Sequence, residues 1–259
     1  MASCMKYLPD YASRITSQRP LQKVGIGDYK LFRLDFNDNR VLTRQSAYVN
    51  LISAQGIHMS RLADALSEYE MSPITLDDEI LQDISTSHND SDSYWECNWT
   101  CCHYVDDNQP VYFDSSLEGI LTTTTSWYLT FTIPYASVCP CSAEMTKVLG
   151  GYPHMQRAKA KVTGQLVGNE DLGDFQTTVV SEIIDAVGLV PIPIMKRTDE
   201  LKWCQKAAKY NLFVEDAARL IANKVDDWFK DWVVVCEHEE SIHQHNVVAV
   251  CRKDGGTLL

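Results

Sequence analysis

The sequence predicts an α+β fold made of two modules with the same order of elements. Segments rich in β-branched and aromatic residues come in pairs that are separated by turn-forming residues, as in "KVGIGDYKLFRLDF" and "QSAYVNLIS" around "NDNR". Segments with apolar residues at helical spacing follow such strands, and further strands follow the helices. The order β-β-α-α-β-β therefore occurs twice, with antiparallel sheets that carry helices on one face. We place the first module at residues 20–120 and the second at 121–259.

In the first module, two helices and one strand follow the hairpin. The segment "HMSRLADALSEYEM" has apolar residues at helical spacing, "TLDDEILQDI" is a second helix, and "STSHNDSDS" is typical of a loop. In "YWECNWTCCH", Trp95, Cys97, Trp99 and Cys101 alternate with polar residues, which places them on one buried face of a strand. The segment from Cys97 to His103 also has zinc-ligand residue types, but ordinary strand packing explains it better because it lacks a tetrahedral ligand spacing.

The second module repeats this order without repeating the residues. "SWYLTFTIPYASV" and "RAKAKVTGQLV" are typical of strands, and "DFQTTVVSEIIDAVG" is typical of a helix. "FVEDAARLIANKVDDWFKDW" predicts a longer amphipathic helix with an apolar stripe that ends at Trp228. Two strands, "WVVVCEHEE" and "HNVVAVCR", close the module.

Composition narrows the class of protein. The chain has 259 residues, 45% of them apolar, and a formal net charge of −12, so we expect a packed core and no nucleic-acid partner. The N-terminus lacks the apolar run of a signal peptide, and no segment approaches the roughly 18 apolar residues of a membrane span, so we expect a cytoplasmic protein with no membrane association. Nine cysteines, an odd number, argue against a disulfide framework.

Two cysteines and three histidines have the residue types of a metal or catalytic site. Cys139 and Cys141 end a strand, just before a glycine-bearing loop that leads to His154, and thiolate and imidazole groups together favour zinc or iron. Near the C-terminus, His243 and His245 are two positions apart, so on an extended strand both point the same way. The alternative is two partly buried thiols at a tight turn and separate surface histidines.

Four charged or titratable residues stand out elsewhere. Glu215 begins the long helix, where the alternative to a functional role is favourable interaction with the helix dipole. Glu200 follows Lys196 and Arg197, so a solvated salt bridge is its alternative role. His58 and Arg61 open the first helix, where exposed amides and a guanidinium favour a phosphate, although a plain surface arginine has the same appearance.

Seven motifs in this order resemble the type IB GTP cyclohydrolases. The motifs are "QGIHMSR", "LEGI", "SVCPCS", "HMQR", "KRTDE", "FVEDAAR" and "ESIHQHN", and the resemblance extends from about residue 20 to residue 252. The family opens GTP at C8 to give formate and 7,8-dihydroneopterin triphosphate. The resemblance implies the tunnelling fold, whose subunits assemble around a central tunnel. It also implies a homo-oligomer, expected to be a tetramer, with active sites at subunit interfaces.

The resemblance also implies roles for individual residues. Cys139, His154, Glu200 and His245 match the ligands of one divalent metal ion per site, which is Zn, Mn or Fe. Cys141 matches a second essential cysteine that transfers protons, with His154 and His243 as further catalytic residues. Glu215 matches the carboxylate that anchors the purine, and Gln156, Arg157, His58 and Arg61 are assigned to the substrate.

This sequence departs from the family pattern near the proposed metal site. Ala143 and Met145 stand where lysine and isoleucine are typical, and Pro153, Met155 and Ala158 replace alanine, asparagine and serine of the family block. Two alternatives to GTP hydrolysis therefore remain. One is a paralogue that acts on a related guanine nucleotide or heterocycle, and the other is a non-catalytic tunnelling-fold protein that binds a purine or pterin. Nitrile reductases and pterin synthases share the fold but use different cysteine and histidine motifs.

Overall fold

The computed structural model describes Ala12, Arg14 and residues 19–88, 91–105, 109–168 and 171–258, which form eight strands and six helices. The strands are β1 (Leu21–Leu34), β2 (Arg40–Leu51), β3 (Ser93–Val105), β4 (Gln109–Leu121), β5 (Thr125–Val138), β6 (Met155–Gln165), β7 (Asp231–Glu239) and β8 (Asn246–Arg252). The helices are α1 (Met59–Ser67), α2 (Asp78–Thr86), α3 (Pro140–Leu149), α4 (Leu172–Val187), α5 (Arg197–Ala207) and α6 (Val214–Val225).

Each strand pairs with its neighbour along the chain, so the order in the sheet is β1 to β8. The described registers are antiparallel for β1–β2, β2–β3, β5–β6, β6–β7 and β7–β8. Buried and less buried residues alternate along most strands, as period-two patterning requires. The predicted α+β class is confirmed, and the architecture is consistent with a tunnelling-type fold.

The chain forms two compact units. Among the described residues, the first takes in the chain up to Trp99 together with Leu117–Trp127, and the second takes in Thr100–Ser116 and the chain from Tyr128 onwards. Three long strands, β3, β4 and β5, contribute residues to both units. The predicted module boundary after residue 120 stays a prediction.

The first unit packs α1 and α2 on buried strand residues. Leu62 and Leu66 of α1 and Leu81 of α2 are fully buried. Ser93 Oγ of β3 donates to Leu81 O at 2.7 Å, and the indole N–H of Trp95 donates to Gln45 at 2.9 Å. Both predicted helices are confirmed. The predicted loop is shorter than its pattern indicated, since α2 continues to Thr86, and its residues 89 and 90 lie outside the described part of the chain.

The second unit packs α4 against α6, and α6 against β7 and β8. Asp171 caps α4 by accepting from two backbone N–H groups, and Gly188 ends this helix with φ of 69°, a left-handed conformation that favours glycine. The helix predicted from "FVEDAAR" ends at Val225 rather than Trp228, and the following Phe229 is buried against Gly164, where any Cβ would clash.

Two helices of the second unit were not predicted. The apolar residues of α3 face solvent, with Val148 and Leu149 more than 80% exposed, so they lack the buried stripe that marks a helix. The other, α5, is mostly polar, and only Ala207 in it is buried. Both helices contribute to one small apolar cluster, formed by Ala136, Val138, Ala143, Leu189 and Ala207, with Met155 and Trp203 packed against it.

The tight turn considered as an alternative at Cys139-Pro140-Cys141 is not formed, because a helix begins there. Cys139 is the N-cap of α3, and Pro140 occupies the first helical position, where its fixed φ suits the helix and its missing N–H has no partner to lose. The glycine-bearing loop before His154 is correspondingly short, because α3 continues to Leu149. No helix within the described residues is long and apolar enough to span a membrane.

Candidate active site

Backbone contacts bring Cys139 and His154 together at the end of β5. The N–H of Cys139 donates to His154 O at 3.2 Å, and the N–H of His154 donates to Ser142 Oγ at 3.2 Å. The Cys139 residue is half-buried, whereas Cys141, in the first turn of α3, is exposed. The two residues that the sequence proposed as partners, Cys139 and His154, are therefore in backbone contact in the structure.

The segment before β8 lies beside His154. Ser241 Oγ is 3.4 Å from Nδ1 of His154. The rings of His243 and His245 stack with their centroids 5.1 Å apart and an interplanar angle of 11°. The two rings are in contact, but they belong to a bent segment and not to the extended strand on which their spacing was expected to align them.

Helix α5 places Glu200 in its first turn, with an exposed side chain. One turn later, Trp203 packs against the apolar cluster that contains Val138 and Ala143, and its indole N–H donates to Val190 O at 3.0 Å. Thus Glu200 lies on a helix that is anchored next to Cys139. However, no three His, Cys, Asp or Glu side chains within the described residues are grouped closely enough to hold a metal ion.

A buried polar chain lies on the opposite side of β6 from Arg157. His238 of β7 is 1% exposed, with Nε2 at 2.8 Å from the hydroxyl of Tyr135 and Nδ1 at 2.8 Å from Nε2 of Gln156. Burial lowers the pKa of His238 to about 4, against a smaller upward effect of the Glu215 carboxylate. The imidazole is therefore neutral near pH 7, and Glu215 lies within its electrostatic reach.

The structure separates Gln156 from Arg157. Consecutive strand residues face opposite sides, so Gln156 is buried beside His238, whereas Arg157 is exposed. Arg157 lines a cavity of about 720 Å³ together with Lys159 and Glu239. Lys159 is paired with Glu237 at 2.8 Å, while no described residue pairs with the Arg157 guanidinium. Gln156 and Arg157, which the resemblance assigned to the substrate, therefore cannot line the same pocket within one chain.

The other two proposed substrate residues belong to the first unit. His58 is the N-cap of α1, and its backbone N–H donates to Nε2 of His88 at 3.1 Å. Arg61 donates to Ser87 O, at the C-terminal end of α2, at 3.4 Å. Burial, followed by the nearby Arg61 and His58, lowers the pKa of His88. Arg61 therefore also stabilises the C-terminus of α2, where a cation is favoured.

The alternative zinc site at Cys97–His103 is not formed. Cys97 and Cys101 are buried in β3, as the alternating pattern predicted, and burial raises the pKa of the Cys97 thiol to about 12, which disfavours a metal-binding thiolate. His103 Nε2 lies 3.2 Å from Ser181 Oγ. Strand packing explains this segment.

Comparison with known proteins decides the family. The family model for type I GTP cyclohydrolase folE2 matches residues 8–249. The chain belongs to this family. The match confirms the resemblance to GTP cyclohydrolase I and supplies the folE2 designation in place of the type IB designation that the motifs suggested. The GTP cyclohydrolase FolE2 of Geobacter sulfurreducens is 30% identical, over 95% of this chain and 98% of its own length. Those of Pseudomonas putida and Syntrophotalea carbinolica are 28% and 27% identical over 93% and 92% of this chain.

In this folE2 family member, two residues of the buried polar chain were not singled out from the sequence. Tyr135 and His238 have no local motif, and they meet each other across 103 positions of the chain. The alternation of buried and exposed positions was the available signal, because His238 is two residues after the buried Cys236 and so lies on the same buried face of β7. A histidine at such a position needs hydrogen-bond partners.

Proposed function

We propose that this protein hydrolyses GTP at C8 of the purine, releasing formate and giving 7,8-dihydroneopterin triphosphate. The observation that carries the proposal is the family match along nearly the whole chain, which includes the Cys139, His154, Glu200 and Glu215 motifs. The direct contact between Cys139 and His154 supports it.

We also propose that one divalent ion, Zn, Mn or Fe, is held by Cys139, His154, Glu200 and His245. Thiolate, imidazole and carboxylate groups together suit such ions, and the first two residues are already adjacent. When bound, the ion supplies the Lewis acidity that makes hydroxide available near neutral pH. Binding of the ion would then require the carboxylate of Glu200 and the imidazole of His245 to approach Cys139 and His154.

The remaining residues move protons and bind the substrate. Cys141 is exposed beside the half-buried Cys139, which suits a thiol that delivers a proton to the departing imidazole nitrogen, with His154 and His243 as further acid–base groups. Glu215, exposed in the first turn of α6, accepts hydrogen bonds from the N1–H and 2-amino groups of guanine. Gln156 contacts His238, the residue whose pKa the Glu215 carboxylate influences, and is assigned to the substrate as well. His58 and Arg61 contact the triphosphate.

We further propose a cytoplasmic homo-oligomer, a tetramer, with active sites at subunit interfaces. Such interfaces would allow the first unit of one copy to serve the second unit of another. They would also cover the edge strands β1 and β8, each of which has one neighbour among the described strands. Light scattering on purified protein tests this, and a fully active monomer would overturn it.

One observation favours a related purine nucleotide as the alternative substrate. Ala143 replaces the lysine that is typical of the family and is 6% exposed within the apolar cluster, so the first turn of α3 offers no cation there. The same chemistry would then act on a nucleotide with fewer phosphates.

The deciding experiment is incubation of the purified protein with GTP, GDP and GMP under Zn, Mn and Fe in turn. Formate release, and a fluorescent pterin after oxidation, are expected with GTP. Turnover restricted to GDP or GMP would move the assignment to the related-nucleotide alternative. Purine binding without formate under every metal would make the protein a non-catalytic binder.

A further inference from the structure

Four side chains of the second unit form one continuous hydrogen-bonded chain. Gln156 Nε2 lies 2.8 Å from His238 Nδ1, and His238 Nε2 lies 2.8 Å from the Tyr135 hydroxyl. Burial raises the pKa of the Cys236 thiol, and the Tyr135 hydroxyl, as its hydrogen-bond partner, acts in the opposite direction. We call these four residues the relay. They come from β5, β6 and β7, and their registers place them on one face of the sheet.

The chemistry of the relay gives it a direction. An amide NH₂ only donates, so Nδ1 of His238 is the acceptor, and the single proton of the neutral ring sits on Nε2. Nε2–H then donates to the Tyr135 oxygen, and the Tyr135 proton is directed to the sulfur of Cys236. Burial keeps His238 neutral, with a pKa of about 4, so only one ring nitrogen carries a proton near pH 7.

This direction leaves one atom without a partner. Gln156 is 6% exposed, and its Oε1 is buried with no hydrogen-bond partner among the described residues. An unpaired buried carbonyl oxygen is costly, so this atom needs a partner that the described residues do not supply. Gln156 is also the buried residue between His154 and the exposed Arg157, next to the His238 ring that the Glu215 carboxylate influences.

We propose that His238 and Tyr135 are positioning residues, which fix the Gln156 amide so that its oxygen accepts a hydrogen bond from the exocyclic amino group of the bound heterocycle. The inference rests on the proposed function, because it places the base beside Glu215. It adds a specificity device that belongs to neither the metal nor the proton-transfer groups. If the relay ran in the opposite direction, His238 Nδ1–H would donate to the amide oxygen, and Gln156 would offer an NH₂ donor instead.

The relay therefore selects for a heterocycle that carries an amino group beside a ring N–H. Guanine has both groups, while hypoxanthine lacks the amino group and would leave Gln156 Oε1 unpaired. A site built to pair such a donor rejects the analogue without it, because its own buried polar atom is left unsatisfied. We expect the catalytic efficiency with GTP to exceed that with inosine triphosphate by about 100-fold, with roughly tenfold of this from Gln156.

The first test reads the relay without using activity. Nitrogen-15 NMR of the labelled full-length protein at pH 7 should show His238 with its proton on Nε2. Cys236→Ser keeps an acceptor for the Tyr135 hydroxyl and should leave this tautomer unchanged. Tyr135→Phe removes the acceptor of the His238 Nε2 proton, and Cys236→Ala removes the acceptor of the Tyr135 hydroxyl proton. Both changes should move the proton of the ring to Nδ1. A wild-type ring protonated on Nδ1, or a tautomer unaffected by both variants, would overturn the proposal.

The second test reads the consequence for the base. In Tyr135→Phe and Cys236→Ala, the preference for GTP over inosine triphosphate should fall about tenfold, through KM rather than kcat, and Cys236→Ser should restore it. Tyr128→Phe, the same change on the same strand outside the relay, is the matched control. An unchanged preference in both relay variants would refute the role of Gln156. If the wild type turns over neither nucleotide, the proposed function fails, and calorimetric affinities for the two nucleotides decide the specificity claim in the same variants.

Discussion

The second unit differs from the first by two additional helices, and most of the proposed chemistry lies on or next to them. Within the described residues, the helices of the first unit are α1 and α2, whereas the second unit adds α3 between β5 and β6, and α5 between α4 and α6. Cys139 and Cys141 begin α3, Glu200 is in the first turn of α5, and His154 follows the loop after α3. The first unit contributes only His58 and Arg61.

The comparison separates two tasks. The elements that both units share bury apolar residues against the sheet, as the buried faces of α1, α2, α4 and α6 show. The added helices bury little, with one buried residue in each, Ala143 and Ala207. Segments with little burial contribute little to the free energy of unfolding, so changes in their polar residues should affect activity much more than stability.

The largest expected effect is at the start of α3. Cys139→Ala should lose bound metal and turnover together, and Cys141→Ala should retain the metal while kcat falls about 100-fold or more, since a positioned proton donor typically contributes that much. Elemental analysis and formate release measure the two outcomes. Equal loss of metal from both variants would show that the thiols share one role. Cys204→Ala, an exposed cysteine of α5, is the control and should change neither.

Glu215→Gln should weaken guanine binding about tenfold to several hundredfold, because the new amide presents a donor to a donor, while the metal is retained. Calorimetric titration with a non-hydrolysable GTP analogue measures this. The first unit supplies the control, since Glu79 occupies a similar first-turn position in α2 and is exposed. Glu79→Gln should cost at most about 1 kcal/mol of stability and leave binding intact. Equal effects of the two substitutions on binding and stability would show that Glu215 only interacts with the helix dipole.

Acid should destabilise the second unit through His238. Its pKa falls from 6.5 when unfolded to about 4 when folded, so the unfolded chain binds more protons between these values, and the free energy of unfolding drops as the pH falls through this window. At about 1.4 kcal/mol per pKa unit, the loss amounts to about 3 kcal/mol. Urea unfolding at pH 7 and pH 4 measures it. His238→Asn should flatten the dependence, and an equally steep dependence in this variant would assign the effect elsewhere.

The smallest expected effects are at helix N-caps of the two units. Asp171 accepts from two backbone N–H groups at the start of α4, and Asp77 accepts from one at the start of α2. Asp171→Ala should therefore destabilise by about 1 to 2 kcal/mol and Asp77→Ala by about 0.5 to 1 kcal/mol. Thermal unfolding of the two variants gives the comparison. A larger loss of stability in Asp77→Ala than in Asp171→Ala would contradict the idea that the number of capping hydrogen bonds sets the effect.

Periodic burial made much of the fold predictable from the sequence. The alternating residues of β3 and the apolar stripes of α1, α4 and α6 were predicted because one side of each element is buried. Helices α3 and α5 were missed for the same reason, since their apolar residues, such as Val148, do not face a core. The end of α6 was placed too late because Trp228 continues the apolar stripe in the turn that follows.

The candidate site was predictable where residues are close in sequence or belong to a motif. Cys139 and His154 were proposed as partners from the motif order, and they are in contact. Tyr135, His238 and Gln156 join three strands, and neither period nor motif carries such long-range pairing. Gln156 and Arg157 face opposite sides of the sheet because consecutive residues of a strand do so, which follows once β6 is known to be a strand.

The sheet's chain-order pairing has a consequence for the timing of folding. The β7–β8 hairpin closes over a short bend, so it can form early, whereas β6 and β7 must meet across the intervening helices α4, α5 and α6. Closing a longer loop costs more entropy, and contacts between distant positions form slowly. Gln156 and His238 are 82 positions apart and meet only when β6 and β7 pair. The surface that we propose for guanine recognition should therefore be completed among the last steps of folding, and partly folded chains should be unable to sequester the nucleotide.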